Sequence, residues 1–264
     1  MSGMKRHPLR VLLRLFVCCG LIVLCLMDFI FFIWLRGKAH SARARAEWLQ
    51  RWSRRHLRNL NAEITRHGEA PRGGLLISNH LSYLDILVLA EAQPMVFLSK
   101  SEVQSWPLIG WLTRCAGTLF IQRGQKSDVA RANAQFAAVV EQGLVLAIFP
   151  EGTSTGGDTL LPFRSSLLAP AVQRQWAVTP AWIGYSLADG SVIDEICYWR
   201  DMTFAPHFLN LFSKRRIEVR VAYAPPFTVG SDRKELARRL HSQVCELAER
   251  YGGRQLGSRP SRRD

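Results

Sequence analysis

The sequence has no C-x-x-C pair and no cluster of His and Cys at zinc-ligand spacing, which removes dithiol redox motifs and structural zinc modules. Its six cysteines make no framework. Cys18, Cys19 and Cys25 share one apolar segment, and Cys115, Cys197 and Cys245 are scattered, a pattern that reads as buried free thiols in a reducing compartment. No internal repeat is present, so solenoids and propellers are excluded. Acidic residues are scarce, 21 Asp and Glu against 35 Lys and Arg, for a formal net charge of +14. Such a balance draws polyanions, either nucleic acid or an anionic lipid surface. No nucleic-acid motif accompanies the charge, and a basic patch alone does not argue for one.

What is present begins with apolar content. At 264 residues and 48% hydrophobic, the chain can bury one sizeable core with a small appendage. Residues 15–35 form an apolar run broken only by Asp28, long enough to cross a bilayer. It is too long for a signal-peptide core, and Arg36 and Lys38 come after it where a small-residue cleavage site would stand. Asp28 is costly at mid-bilayer, so the segment either tilts across the membrane or inserts without crossing. The excess charge brackets this run: Lys5, Arg6, Arg10 and Arg14 before or within its start, then Arg36, Lys38, Arg43, Arg45, Arg51, Arg54, Arg55 and Arg58 after it. Basic residues beside an apolar segment read first as membrane anchoring. The denser group lies after the segment, which favours a cytoplasmic main domain.

Residues 41–60 predict an amphipathic helix, with Trp48, Trp52, His56 and Leu60 recurring every four residues opposite a face of arginines. That stripe fits a helix lying among lipid headgroups or one packed on the domain; the interfacial setting is the expectation. Beyond a Gly- and Pro-punctuated loop at 66–74, short apolar runs alternate with helical patterns. Strands are expected at 75–78, 95–98, 118–121, 144–149, 178–183 and 217–223, with helices at 84–92, 129–142, 167–175 and 232–252. The fold class expected is α/β, a mixed sheet covered by helices, with an N-terminal membrane helix and an amphipathic interfacial helix. The domain plan is an anchor at 1–36, a basic amphipathic helical region at 37–69, a catalytic domain at 70–253 and a basic disordered tail at 254–264.

Three stretches carry residues suited to chemistry. Asn79-His80-Leu81-Ser82-Tyr83-Leu84-Asp85 comes after a strand and precedes a helix, the carboxyl edge where sites form in α/β sheets. On a continuous helix His80 and Asp85 would stand about 140° apart, so they meet only across a turn. A histidine held by a carboxylate keeps one tautomer and becomes a better base, suited to taking a proton from an alcohol. Gly117–Arg123 brings Arg123 to a strand end, where a guanidinium can bind an anionic headgroup. Phe149-Pro150-Glu151-Gly152-Thr153-Ser154-Thr155-Gly156-Gly157 empties another buried strand into a Gly-rich loop, whose amides can cradle phosphate.

Together the stretches resemble the glycerolipid acyltransferases, the family of 1-acylglycerol-3-phosphate acyltransferases, with its ordered blocks N-H-x4-D, G-x-x-F-I-x-R, F-P-E-G-T and a short apolar stretch ending in proline, here Val178–Pro180. The resemblance covers roughly residues 70–225. It implies that His80 is the general base on the acceptor hydroxyl and Asp85 its orienting partner. It also implies that Arg123, Glu151, Gly152 and Thr153 bind the acceptor, and that Pro180 shapes the acyl-donor side. The donor would be acyl-CoA or acyl carrier protein, attacked directly with no acyl-enzyme, metal or cofactor. Partners would be membrane lipids and a lysolipid, with no nucleic acid, at the cytoplasmic face of a bacterial inner membrane. The expected acceptor is 1-acyl-sn-glycerol-3-phosphate. One departure points elsewhere: Ser154-Thr155 stands where many phosphatidate-forming members carry Arg-Ser, while Leu161–Ser166 and Tyr198–Thr203 with Pro206-His207 resemble the branch that acylates lyso-ornithine lipid. Arg164 is a candidate to replace the missing charge.

Two other classes compete. Gly152-Thr153-Ser154-Thr155-Gly156 matches the G-x-S-x-G of serine esterases, which requires a helix after the serine. Here Gly157, Asp158 and Pro162 come next, and they make a poor helix start. A non-enzymatic membrane scaffold would leave the His80–Asp85 pair purely structural.

Overall fold

The computed structural model describes residues 7–121 and 134–252; Arg123, the start of the helix expected at 129–142 and the tail at 254–264 lie outside them. An apolar helix α1 (Pro8–Phe29) runs on through a π-helical turn, Ile30–Trp34. The basic helix α2 (Ala42–Asn59) is next, its first turn capped by Ser41, whose side chain accepts from the Ala44 amide. The chain then alternates: β1 (Ala62–His67), β2 (Gly74–Ser78), α3 (Leu84–Ala92), β3 (Met95–Lys100), α4 (Ile109–Cys115), β4 (Leu119–Ile121), helical residues 134–140 (α5), β5 (Val145–Ile148), α6 (Ala169–Arg174), β6 (Ala177–Leu187), α7 (Val192–Glu195), α8 (Phe204–Leu211), β7 (Ile217–Tyr223), β8 (Phe227–Thr228) and α9 (Arg233–Tyr251).

The sheet order is β1-β7-β6-β2-β5-β3-β4, with β8 paired to β6. Strands β6, β2, β5, β3 and β4 run parallel, while β7 is antiparallel to β6 and β1 is parallel to β7. The sheet is therefore mixed, and both faces are covered. One carries Leu76, Ala181, Ile183 and Tyr185 beneath α3; the other carries Leu75, Ile77, Val178 and Trp182 beneath α9. Central β2 is sealed on both faces, which is why it reads as an unbroken apolar run rather than an alternating one.

β1 falls where no strand was expected up to residue 65 and a loop beyond it. It is an edge strand with exposed residues such as Glu63 and Arg66 and only half-buried apolar ones, Ala62 and Ile64, so its apolar contrast is weak. Strand β6 runs four residues past its expected end at 183. Helix α2 is amphipathic, but its tryptophans face protein rather than headgroups. Trp48 and Trp52 are 2% and 7% exposed, and both indole N–H groups bond to α1: Trp48 to the Cys25 carbonyl at 3.1 Å, and Trp52 to the Asp28 carboxylate at 2.7 Å. Asp28 also pairs with Arg51 at 3.0 Å. Trp52 turns inward because a carboxylate embedded in an apolar helix requires donors, and Trp48 because a buried indole N–H requires an acceptor, here the Cys25 carbonyl.

Candidate active site

Three adjacent strands assemble the site. β2 delivers Asn79-His80 at its carboxyl end, β5 delivers Phe149-Pro150-Glu151 beside it, and β6 runs past on the other side. Residues 79–83 make a turn before α3, and the turn brings the His80 Nδ1 to 2.8 Å from Asp85 Oδ2. That oxygen also accepts the backbone N–H groups of Leu81 at 2.7 Å and Ser82 at 3.0 Å. Three donors on one oxygen fit an ionised acceptor, so His80 donates through Nδ1–H, and in the neutral imidazole the lone pair is then on Nε2. Asp85 is fully buried, while the imidazole is 21% exposed. The ring lies flat on Phe149, centroids 4.1 Å apart and planes 14° apart, which fixes the rotation that the Asp85 bond leaves free.

Glu151 sits beneath the turn rather than in front of it. It is 3% exposed, its Oε1 accepts the His80 amide at 2.8 Å, and its Oε2 accepts the Leu161 amide at 2.9 Å. With both oxygens on backbone donors it holds the His80 loop. Burial pushes its carboxyl up to about 7, against the pull of those two amides. Gly152 turns the chain at φ +71°, and Thr153 is exposed after it. Pro180 is buried inside the sheet, level with Ile77 of β2, and its carbonyl accepts the Ala224 amide at 2.9 Å. Arg164 bonds through its backbone amide to the Pro150 carbonyl at 3.0 Å, and the residue is exposed.

Ser154 does not meet the esterase requirement. Its hydroxyl donates to the Tyr198 carbonyl, and no helix starts within the residues directly after it. That bond belongs to a wall built by residues 197–199. The Tyr198 amide donates to the Leu81 carbonyl at 2.8 Å, the Thr155 amide to the His80 carbonyl at 3.0 Å, and Trp199 lies so close to Gly156 that a Cβ there would stand 2.7 Å from the indole. The stretch Cys197–Trp199 is thus laid against both motif loops.

Two residues that sequence reasoning did not assign complete the frame. The Asn79 side chain makes a two-way bond with the backbone of Ile183, donating to its carbonyl at 2.9 Å and accepting its amide at 2.8 Å. Two residues on, the Tyr185 hydroxyl donates to Asp85 Oδ1 at 2.6 Å. The signal for Tyr185 was its parity with Ala181 and Ile183, obscured by Gly184, which looks like a strand end.

Known proteins similar to this chain are acyltransferases. The family profile described as Acyltransferase matches residues 56–184. A lyso-ornithine lipid O-acyltransferase from Pseudomonas aeruginosa is 39% identical over 195 residues, 73% of this chain and 75% of that protein. A 1-acyl-sn-glycerol-3-phosphate acyltransferase from Neisseria meningitidis is 29% identical over 155 residues, 59% of this chain and 60% of that one. The crystal structure of PlsC, the 1-acyl-sn-glycerophosphate acyltransferase of Thermotoga maritima, superposes with a TM-score of 0.72 at 20% identity, covering 97% of this chain and 100% of that one. This last likeness is one of fold.

Proposed function

This chain belongs to the acyltransferase family, and from that premise we propose that it transfers a fatty acyl group from acyl-CoA or acyl carrier protein to the hydroxyl of a membrane lysolipid, with His80 as base. The observation that carries the reading is the His80–Asp85 pair, a buried carboxylate holding Nδ1–H and leaving Nε2 basic. In the proposed reaction Nε2 takes the acceptor hydroxyl proton as the oxygen attacks the thioester carbonyl. Asp85 stabilises the resulting imidazolium. The tetrahedral intermediate then expels the thiolate, which recovers the proton from Nε2. These steps balance without an acyl-enzyme or a metal.

For the acceptor, lyso-ornithine lipid is favoured over 1-acyl-sn-glycerol-3-phosphate. Three observations support this choice: the higher identity to the Pseudomonas enzyme, the absence of arginine after Thr153, and the placement of Tyr198 against the His80 turn. A cavity of about 730 Å³ touches the Tyr198–Thr203 stretch at Asp201, Met202 and Thr203; Asp189 and Asp194 also line it, beside a Glu195–Lys214 ion pair, a balance suited to an ammonium. The purified chain, given each lysolipid separately with labelled acyl carrier protein, should acylate lyso-ornithine lipid at least tenfold faster. Faster acylation of 1-acylglycerol-3-phosphate would reverse the choice of acceptor.

The protein also acts at a membrane in this reading, with α1 lying in one leaflet at the cytoplasmic face. One edge of α1, at Val11, Cys18, Cys25 and Ile33, is buried against the domain, while Leu9, Phe16, Val23, Phe31 and Trp34 are exposed. Polar anchors hold both ends: Arg10 to the Ser213 carbonyl at 2.9 Å, and Asp28 to Arg51 at 3.0 Å. A helix docked in this way cannot cross the bilayer without drawing the arginines of α2 into hydrocarbon.

A further inference from the structure

Asp85 receives four donors, and three come from its own turn: His80 Nδ1 and the amides of Leu81 and Ser82, all on Oδ2. The fourth reaches across the sheet. Tyr185 is 4% exposed, and its hydroxyl donates to Oδ1 at 2.6 Å. It is 100 residues from Asp85 in sequence and arrives there through the Asn79–Ile183 clamp, which ties β6 to the residue immediately before the base. A tyrosine on a buried face needs a partner for its hydroxyl. Here the partner is the carboxylate that orients the histidine.

We propose that Tyr185 is a positioning residue of this site: its hydroxyl locks the Asp85 carboxylate plane and draws charge from Oδ2 toward Oδ1, so that Asp85 orients the His80 imidazole without over-stabilising the imidazolium. The inference rests on the proposed role of His80. Its physical basis is that a carboxylate with all donors on one oxygen can rotate about its Cβ–Cγ bond, whereas one held at both oxygens cannot. Burial, reinforced by the adjacent Asp85, drives the Tyr185 phenol far above its ordinary range, so the hydroxyl stays a donor at every working pH. The other titratable groups facing the pair are Glu151 from the loop after β5, Cys197 from the wall, and Tyr83 from the turn. Burial raises the values of Cys197 and Tyr83, keeping them neutral; Glu151, and His207 behind Tyr83 and Cys197 with its value lowered by burial, are the neighbours able to change charge.

The test is Tyr185→Phe in the full chain, assayed in mixed micelles across pH beside wild type, His80→Ala, Glu151→Gln and Tyr185→Phe/Glu151→Gln. Removing only the hydroxyl should lower kcat on the order of tenfold, a fraction of what general-base catalysis supplies, with KM for both substrates unchanged. With Oδ1 unpartnered, Oδ2 holds the Nδ1 proton harder. The imidazolium then persists to higher pH, and the acid limb of kcat/KM should move up by about half a unit or more. Measured against Glu151→Gln alone, the double variant should show the same movement, which separates it from Glu151. Unchanged kcat and limb in Tyr185→Phe, beside an inactive His80→Ala, would overturn this inference alone. Activity retained in His80→Ala would instead remove the reading beneath it. If Tyr185→Phe does not fold, 3-fluorotyrosine at position 185, a stronger donor, should move the limb down, and no movement would overturn the inference.

Discussion

Asp85 is the residue on which the site's order depends. It is fully buried and accepts from a ring nitrogen, two amides and a phenol, so its replacement by an isostere is informative. Asparagine has two settings: with its oxygen in the Oδ2 place it keeps both amides and Nδ1–H but has no charge to stabilise the imidazolium, and with its NH2 there it opposes both amides and Nδ1–H. In the second case the imidazole flips to the Nε2–H tautomer and loses its base. Asp85→Asn should therefore reduce kcat by roughly 10²–10⁴-fold with the fold retained by circular dichroism; a loss below about threefold would mean that neither the carboxylate charge nor the tautomer matters. Glu151 makes a different prediction. Its folded value, about 7, lies above its ordinary 4.5. A raised carboxyl contributes stability below the unfolded value and loses it as pH rises through the folded one. Glu151→Gln should flatten the fall of the thermal midpoint between pH 4.5 and about 7, while the same slope in the variant would contradict the assignment. His80, Asp85 and the loop of Glu151 were legible because each lies just beyond a buried strand. The inward role of Glu151 was not, since sequence shows a carboxylate beside a glycine but not the amides of His80 and Leu161 that consume it.

At the scale of elements, the site is a property of three neighbouring strands, β6-β2-β5, and the Asn79–Ile183 clamp joins two of them. Asn79 is 4% exposed and makes its bonds in both directions. Asn79→Ala leaves a buried amide and carbonyl unpaired, so it should cost about 2–4 kcal/mol in chemical denaturation and lower kcat as well, because Tyr185 depends on the clamp. A stability loss without a kcat loss would show that β6 is held elsewhere. The strands were legible where both faces are sealed, as in β2 and β5. They were not legible where the pattern is diluted: β1 is a half-exposed edge, and β6 carries Gly184, which serves to admit the Trp182 ring rather than to end the strand. A Cβ at Gly184 would stand 2.2 Å from that indole. The tryptophan stripe of α2 was visible as a stripe, but nothing in its spacing told whether lipid or α1 covers it.

For the whole molecule, one basic chain places an apolar helix, a docked arginine-bearing helix and an α/β domain in a single arrangement. The exposed edge of α1 should enter lipid along its full length. Spin labels at Leu13, Phe16, Val23 and Phe31 should all report similar shallow depths in anionic vesicles, as an in-plane helix requires. A depth that passes through the bilayer midplane between Leu13 and Phe31 would instead show a crossing. The central claim is that His80 deprotonates the acceptor in a direct transfer. Single-turnover acylation of lyso-ornithine lipid, with enzyme in excess of labelled donor, tests it in wild type, His80→Ala and Ser154→Ala. Direct transfer predicts no product from His80→Ala, near wild-type rates from Ser154→Ala and no label on the protein at any time. Product from His80→Ala, or a labelled acyl-enzyme that disappears in Ser154→Ala, would contradict it.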